Sequence, residues 1–202
     1  PVPEAQIDAI EPHVSRQVWA LVQLQLFTAA RSGELVVLRA IDLDTTGKIW
    51  LHTPTDHKTA HHGRQRTIYF GPRVQAIIRP FLAQRAIDAF LFSPREAEQE
   101  RHTSSPSHRR ANQKPNVCKT SRAIGDHYTA ATYRRAIERG CRTADVPAWS
   151  PHRLRHTAGT YVRKEFGLEA AQLILGHARA DVTQIYAEVD HNKALAIAAK
   201  VG

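Results

Sequence analysis

The chain contains no methionine in its 202 residues, and it opens Pro1-Val2-Pro3. Such an opening is the expectation for an excised fragment or a processed product. Cysteine is nearly absent. Cys118 and Cys141 are the only two, and no CxxC spacing links them to a metal ribbon or a redox motif. Free thiols in a cytosolic protein are expected instead of a disulfide framework. No apolar run approaches the roughly 18 residues of a membrane-spanning helix, and no secretory signal pattern opens the chain. Acidic side chains are in deficit: 19 Asp plus Glu against 28 Lys plus Arg give a net charge of +9. That balance points to a polyanionic partner, nucleic acid ahead of an anionic membrane.

Hydrophobic residues make up 42% of the chain, enough for a sizeable core. Ser15 caps an expected helix through Val18, Leu21, Val22, Gln25 and Leu26, whose apolar positions recur at helical spacing. Arg31-Ser32-Gly33 breaks that pattern, and Glu34 to Arg39 reads as a short second helix. Three short runs follow, Ile41–Asp44, Lys48–Thr53 and Thr67–Phe70. With a turn signal at Thr46-Gly47 and a polar hairpin loop at 55–63, they read as a small antiparallel sheet. Val74–Gln84 looks helical, with Pro80 expected to kink or shift it.

Residues 93–128 change character. Seven Lys or Arg between Arg95 and Arg122 face three Glu, among Ser and Pro, so the segment reads as a basic loop inserted in one domain. Helices are expected at 129–144, from Pro151 to about Phe166, and from Leu168 to Leu175 with Gly176 as its cap. Two short helices close the chain, near 180–187 and 191–200. The expected fold class is mainly α with a small antiparallel sheet (α+β), in a single domain.

The residues that can carry chemistry gather in the last third. His152, Arg155 and His156 share one side of a helix by their spacing of three and four. Gly159, four beyond Arg155, leaves room for a close backbone approach. A zinc site would need Glu after the first histidine and a third ligand, whereas Arg153 stands there and Arg155 brings a cation to the same place. His61-His62 sits in a polar loop and reads as solvated, and the carboxylates do not cluster as two-metal nuclease ligands would. Tyr186 becomes a nucleophile only if neighbouring cations favour its ionised form, because a free phenol has a pKa near 10. Arg31, at a helix junction, suits the non-bridging oxygens of a phosphate, since its planar fork donates two hydrogen bonds at once. Lys58, in the hairpin loop, suits protonation of a leaving oxygen. Taken singly, each of these residues also reads as a core tyrosine or a surface charge.

In order, Arg31-x-x-Glu34-Leu35-x-x-Leu38, Lys58-Thr59, His152-x-x-Arg155-His156, Leu175-Gly176-His177 and Thr183-x-x-Tyr186 resemble the tyrosine recombinase (phage integrase) family. The likeness runs from about Val14 to Ala199. It implies the tyrosine recombinase catalytic-domain fold and a site-specific recombinase or integrase that cuts and rejoins double-stranded DNA without metal or cofactor. It also implies roles. Arg31 and Arg155 clamp the scissile phosphate, and His177 hydrogen-bonds it. Lys58 is the general acid toward the leaving 5′ oxygen, and His152 accepts or relays the tyrosine proton. Tyr186 attacks and becomes a 3′-phosphotyrosine. Glu34 supports the Arg31 region, and His156 lies behind the reacting groups. Further expectations are a homotetramer on two duplexes, a monomer when free, a cytoplasmic protein associated with the nucleoid when bound to DNA, and a missing N-terminal core-binding domain. Two other readings stand beside this one: a type IB topoisomerase with the same chemistry, and a catalytically silent DNA-binding module.

Overall fold

A computed structural model describes residues 1–54, 66–83, 85–104 and 124–176. The molecule is organised around helix α2 (Arg16–Thr28), which packs against most of the other helices. Its sequence places Val18, Leu21, Val22 and Leu24 in the core, and even Gln17, Gln25 and Thr28 are buried. A helix buried over most of its surface, with only Arg16 and Phe27 exposed, sits near the centre of its domain. Ser15 caps it as expected, its Oγ accepting from the Val18 amide at 3.3 Å. Ahead of it lie α1 (Glu4–Asp8) and a 3-10 turn at Glu11–His13, too short to show in the periodicity. Ile7 and Ile10 of this region are core residues, so the domain begins earlier than Val14.

Helix α2 ends at Ala29, which is left-handed at φ 53°. The short helix α3 (Ser32–Val36) follows, starting earlier than the expected Glu34 because Arg31 serves as its N-cap position. The sheet has the expected order and sense. Strands β1 (Leu43–Asp44), β2 (Trp50–His52) and β3 (Ile68–Phe70) pair antiparallel as β1-β2-β3, with Leu43 opposite His52 and Trp50 opposite Phe70. Trp50, His52, Ile68 and Phe70 turn inward, the alternation of a half-buried sheet. The strands are shorter than the apolar runs because a five-residue connection at 45–49, bent at 46–49, takes up Thr46-Gly47. Helix α4 (Pro72–Leu82) begins on a proline at its first position. Pro80 falls in its last turn, where it withholds the bond that an amide would give the Ala76 carbonyl, and the helix runs through it and stops at Leu82.

The expected loop at 93–128 requires a correction. Its first part is helix α5 (Pro94–Ser104). Composition misleads here, because Arg-Glu-Ala-Glu-Gln-Glu-Arg is polar but made of strong helix formers. Ser93 starts the helix, Glu96 sits in the favourable first turn, and Arg16–Glu100 (2.7 Å) and Arg85–Glu96 (2.6 Å) tie it to the body. Residues 105–123, with most of the basic charge of that segment, lie outside the described residues, as do the expected hairpin loop at 55–63 and the two expected closing helices.

The last three described helices match their sequence signals. Helix α6 (Ala130–Thr143) buries Tyr133, Ala136, Ile137, Gly140 and Cys141, spaced at helical period, behind a Thr129 cap. Helix α7 (Pro151–Phe166) buries Pro151, Leu154, Arg155, Ala158 and Gly159 in the same rhythm. Helix α8 (Leu168–Leu175) ends in left-handed Gly176 at φ 63°. A small second cluster of Ala29, Ala158, Ala171 and Leu175 joins the end of α2 to α7 and α8. No helix among the described residues is long and apolar enough to cross a membrane.

Candidate active site

The turn at residues 29–31 gathers two of the expected site residues, Arg31 and Arg155. Each backbone polar group in it has a partner. The Ala29 amide donates to Gln25 O at 2.9 Å, and Ala29 O accepts from Arg155 Nη1. The Ala30 amide donates to Thr28 Oγ1 at 3.2 Å, and Ala30 O accepts from Gln25 Nε2 at 3.2 Å. The Arg31 amide donates to Glu34 Oε2 at 2.8 Å, and Arg31 O accepts from the Glu34 amide at 3.0 Å. A turn so fully satisfied is held in one conformation, since each broken bond would leave a buried group unpaired. Gln25 is itself held: Tyr133 of α6 donates to its Oε1 at 3.0 Å, deep in the core. Burial pushes the Tyr133 phenol well above its ordinary pKa, so this hydroxyl stays a donor.

Arg31 leaves that turn with its side chain 32% exposed and its Nη1 2.8 Å from Glu34 Oε1. Glu34, 4% exposed, therefore orients both the backbone and the guanidinium of Arg31. Arg155 comes from the buried stripe of α7 and is 2% exposed. One of its nitrogens reaches Ala29 O and the other donates to Leu175 O at 2.6 Å, so it spans the end of α2 and the end of α8. Arg31 and Arg155 thus meet around one turn, although 124 positions separate them in the chain. His152 lies one turn before Arg155, on the exposed margin of α7. His156 is half-buried next to Arg155 in the sequence. Lys58, His177 and Tyr186 lie outside the described residues.

One participant escaped the sequence reading. Arg66 is 5% exposed, and its Nη1 donates to Ile174 O at 2.8 Å. Its Nε stands 3.9 Å from Glu34 Oε1. Burial pulls this guanidinium below its ordinary pKa, while the Glu34 carboxylate opposes the shift and the Arg31 charge adds to it. The signal was available in the alternation: Arg66, two residues ahead of β3, is in phase with Ile68 and Phe70, and all three are buried. Among the described residues, Glu34, Arg66 and Arg155 are the buried members of the Asp, Glu, Lys and Arg classes, and they occupy this one region. Arg31 and Arg66 share the Glu34 carboxylate, an arrangement with positive charge to spare and suited to an incoming anion.

A family model for the phage integrase family matches residues 4–193. The chain belongs to that family. The match begins ten residues before the expected Val14 and stops six short of Ala199, in line with the buried Ile7 and Ile10. Among curated relatives of this integrase-family chain, tyrosine recombinase XerC of Bifidobacterium longum subsp. infantis is 29% identical over 171 residues, which cover 84% of the chain and 42% of that protein. Tyrosine recombinase XerC of Corynebacterium glutamicum is 36% identical over 72 residues, 35% of the chain and 23% of that protein. The chain spans less than half the length of these relatives. Solved structures share its fold. The Tn1549 transposon integrase, in complex with a circular intermediate DNA, superposes with a TM-score of 0.66 at 18% identity, over 100% of the chain and 65% of that protein chain. XerA recombinase gives 0.62 at 21% identity, over 98% and 62%. XerH, bound to its difH substrate before cleavage, gives 0.59 at 18% identity, over 98% and 51%. The fold is that of the tyrosine recombinase catalytic domain, mainly helical with a small antiparallel sheet.

Proposed function

We propose that this chain is the catalytic domain of a site-specific DNA recombinase that cleaves and rejoins DNA strands through Tyr186. The observation that carries the reading is the meeting of Arg31 and Arg155 around the fully hydrogen-bonded turn at 29–31, with Glu34 orienting Arg31. Two guanidiniums fixed on stiff backbone are what a phosphoryl-transfer centre without metal needs, because negative charge on the non-bridging oxygens grows during in-line attack. Family membership and the ordered motifs through Tyr186 add Lys58, His152 and His177.

On this reading Tyr186 Oη attacks phosphorus and its proton passes to His152. The bond from phosphorus to the 5′ oxygen breaks, and Lys58 protonates that oxygen as it leaves. His177 hydrogen-bonds a non-bridging oxygen. The product is a 3′-phosphotyrosine, so one phosphodiester has been exchanged for another. A free 5′ hydroxyl then reverses the step on a new partner, with neither ATP nor water consumed. The working assembly is four protomers on two duplexes, formed from monomers on double-stranded DNA, in the cytoplasm at the nucleoid. Residues 1–202 act as one catalytic domain, and a helical domain outside them clamps the opposite face of the DNA.

The test uses nicked suicide duplexes selected by binding from a random-sequence pool. The wild type gives a covalent protein–DNA adduct that survives denaturation, and Tyr186→Phe gives none. Absence of a wild-type adduct, or an adduct from Tyr186→Phe, refutes the assignment. Relaxation of supercoiled plasmid without sequence dependence points to the topoisomerase reading. Binding that Tyr186→Phe leaves unchanged, with no adduct on any duplex, points to the silent module.

A further inference from the structure

Arg66 has no step in the chemistry above, yet its burial is costly. Removing a cation from water costs several kcal/mol unless partners replace the water, and an apolar side chain of similar volume would fill the space without that penalty. Among the described residues its Nε and Nη2 make no hydrogen bond. What the side chain does have is placement between two parts of the site. On one side, Nη1 donates to Ile174 O at 2.8 Å, while Arg155 Nη2 donates to the next carbonyl, Leu175 O, at 2.6 Å. The negative end of α8 is thus held at two consecutive carbonyls by two guanidiniums. On the other side, Arg66 Nε faces the same Glu34 oxygen that accepts from Arg31.

Gly176 supplies an independent observation. It is left-handed, and a Cβ there would lie 2.5 Å from Arg66 Nη1, 2.9 Å from Cδ and 3.1 Å from Cζ. A side chain at this position of the Leu175-Gly176-His177 motif would therefore displace the guanidinium laid against it, and its left-handed backbone angle favours glycine in any case.

We propose that Arg66 is a positioning residue that ties the Arg31–Glu34 pair to the C-terminal end of α8, so that the phosphate clamp and the segment entering His177 keep one spacing. The catalytic consequence rests on the recombinase reading, whereas the tie itself is independent of it. Two measurements therefore go together: hydrogen exchange of the free protein, and single-turnover cleavage of a nicked suicide duplex at saturating DNA.

Arg66→Met fills the space without the charge. It speeds amide exchange at Gly176 and at Arg31 and Glu34 together, while amides of α6 around Ile137 keep their protection. At saturating DNA it slows cleavage by about 10- to 100-fold, the range expected when reacting groups shift by a fraction of an ångström to one ångström. Arg66→Lys restores part of that loss, because an ammonium keeps the charge near Glu34 but lacks the fork. Gly176→Ala disturbs the same contact from the α8 side with Arg66 intact. It gives the same paired exchange response, and this keeps the test available if Arg66→Met folds poorly. Exchange that rises at only one of the two places overturns the tie. Wild-type cleavage by Arg66→Met at saturating DNA overturns its positioning role while the recombinase reading stands. If the wild type forms no adduct, the recombinase reading falls, and the paired exchange response alone supports or overturns the tie.

Discussion

Replacing Gln25 with leucine tests how the Arg31 turn is held. Gln25 is 1% exposed, takes the Tyr133 hydroxyl on Oε1 and gives Nε2 to Ala30 O. Gln25→Leu leaves two buried groups without partners, the Tyr133 hydroxyl and the Ala30 carbonyl. At about 1–3 kcal/mol for each group left unpaired, the loss is roughly 2–6 kcal/mol. At about 2–4 °C per kcal/mol for a domain of this size, Tm falls by roughly 4–24 °C. Tyr133→Phe leaves only Gln25 Oε1 unpaired and costs about 1–3 kcal/mol. The double variant leaves only Ala30 O, so it is more stable than Gln25→Leu alone by roughly 1 kcal/mol. Urea unfolding of the four proteins measures the cycle, and the midpoints move without a change in slope. Adduct formation drops further in Gln25→Leu than in Tyr133→Phe, because only the former releases the backbone next to Arg31. Additive losses in the double variant would refute the proposed chain of bonds. Equal adduct formation in the two single variants would refute its link to Arg31.

Two further outcomes follow from the same geometry. Burial raises the Tyr133 pKa in the folded state, so the unfolded chain releases this proton first. Stability from this group is complete below pH about 10, the ordinary phenol value, and falls at higher pH by about 1.4 kcal/mol per pH unit. Tyr133→Phe flattens alkaline unfolding by that share; a parallel pH profile would count against it. Arg155→Lys keeps the charge but cannot span Ala29 O and Leu175 O at once. A buried carbonyl left unpaired costs about 1–3 kcal/mol, and loss of one fixed donor on a growing oxyanion slows cleavage by about 100- to 1000-fold. A cleavage rate within a few-fold of the wild type would show that Arg155 is structural only.

The elements that sequence predicted well are those whose ends carry a chemical mark. Ser15, Thr129, Pro151 and Gly176 each supply or spare a backbone bond at a helix end, and the structure begins or ends helices there. The sheet was legible because Trp50, His52, Ile68 and Phe70 alternate inward. Helix α5 was hidden, since it buries no apolar side chain and is anchored by ion pairs instead of a stripe. At the site, Arg31 and Arg155 were found through ordered spacing, but spacing says nothing about the carbonyls that Arg155 grips. Arg66 was lost because it stands at the mouth of a polar hairpin, where a cation is ordinarily solvated. Its partner on α8 is 108 positions away, beyond the reach of any local pattern.

The left-handed Ala29 sets two comparable quantities against each other. An alanine in that conformation costs about 1–2 kcal/mol relative to a right-handed one, and a glycine would avoid this. Yet its methyl is 1% exposed and fills the space between α7 and α8 in the second cluster. A void of that size costs about 1 kcal/mol, and glycine adds chain entropy to the unfolded state. Thermodynamics is thus almost indifferent between the two residues, while mechanics is not. The methyl is a wedge at the point where three helices converge, and it denies the clamp a hinge.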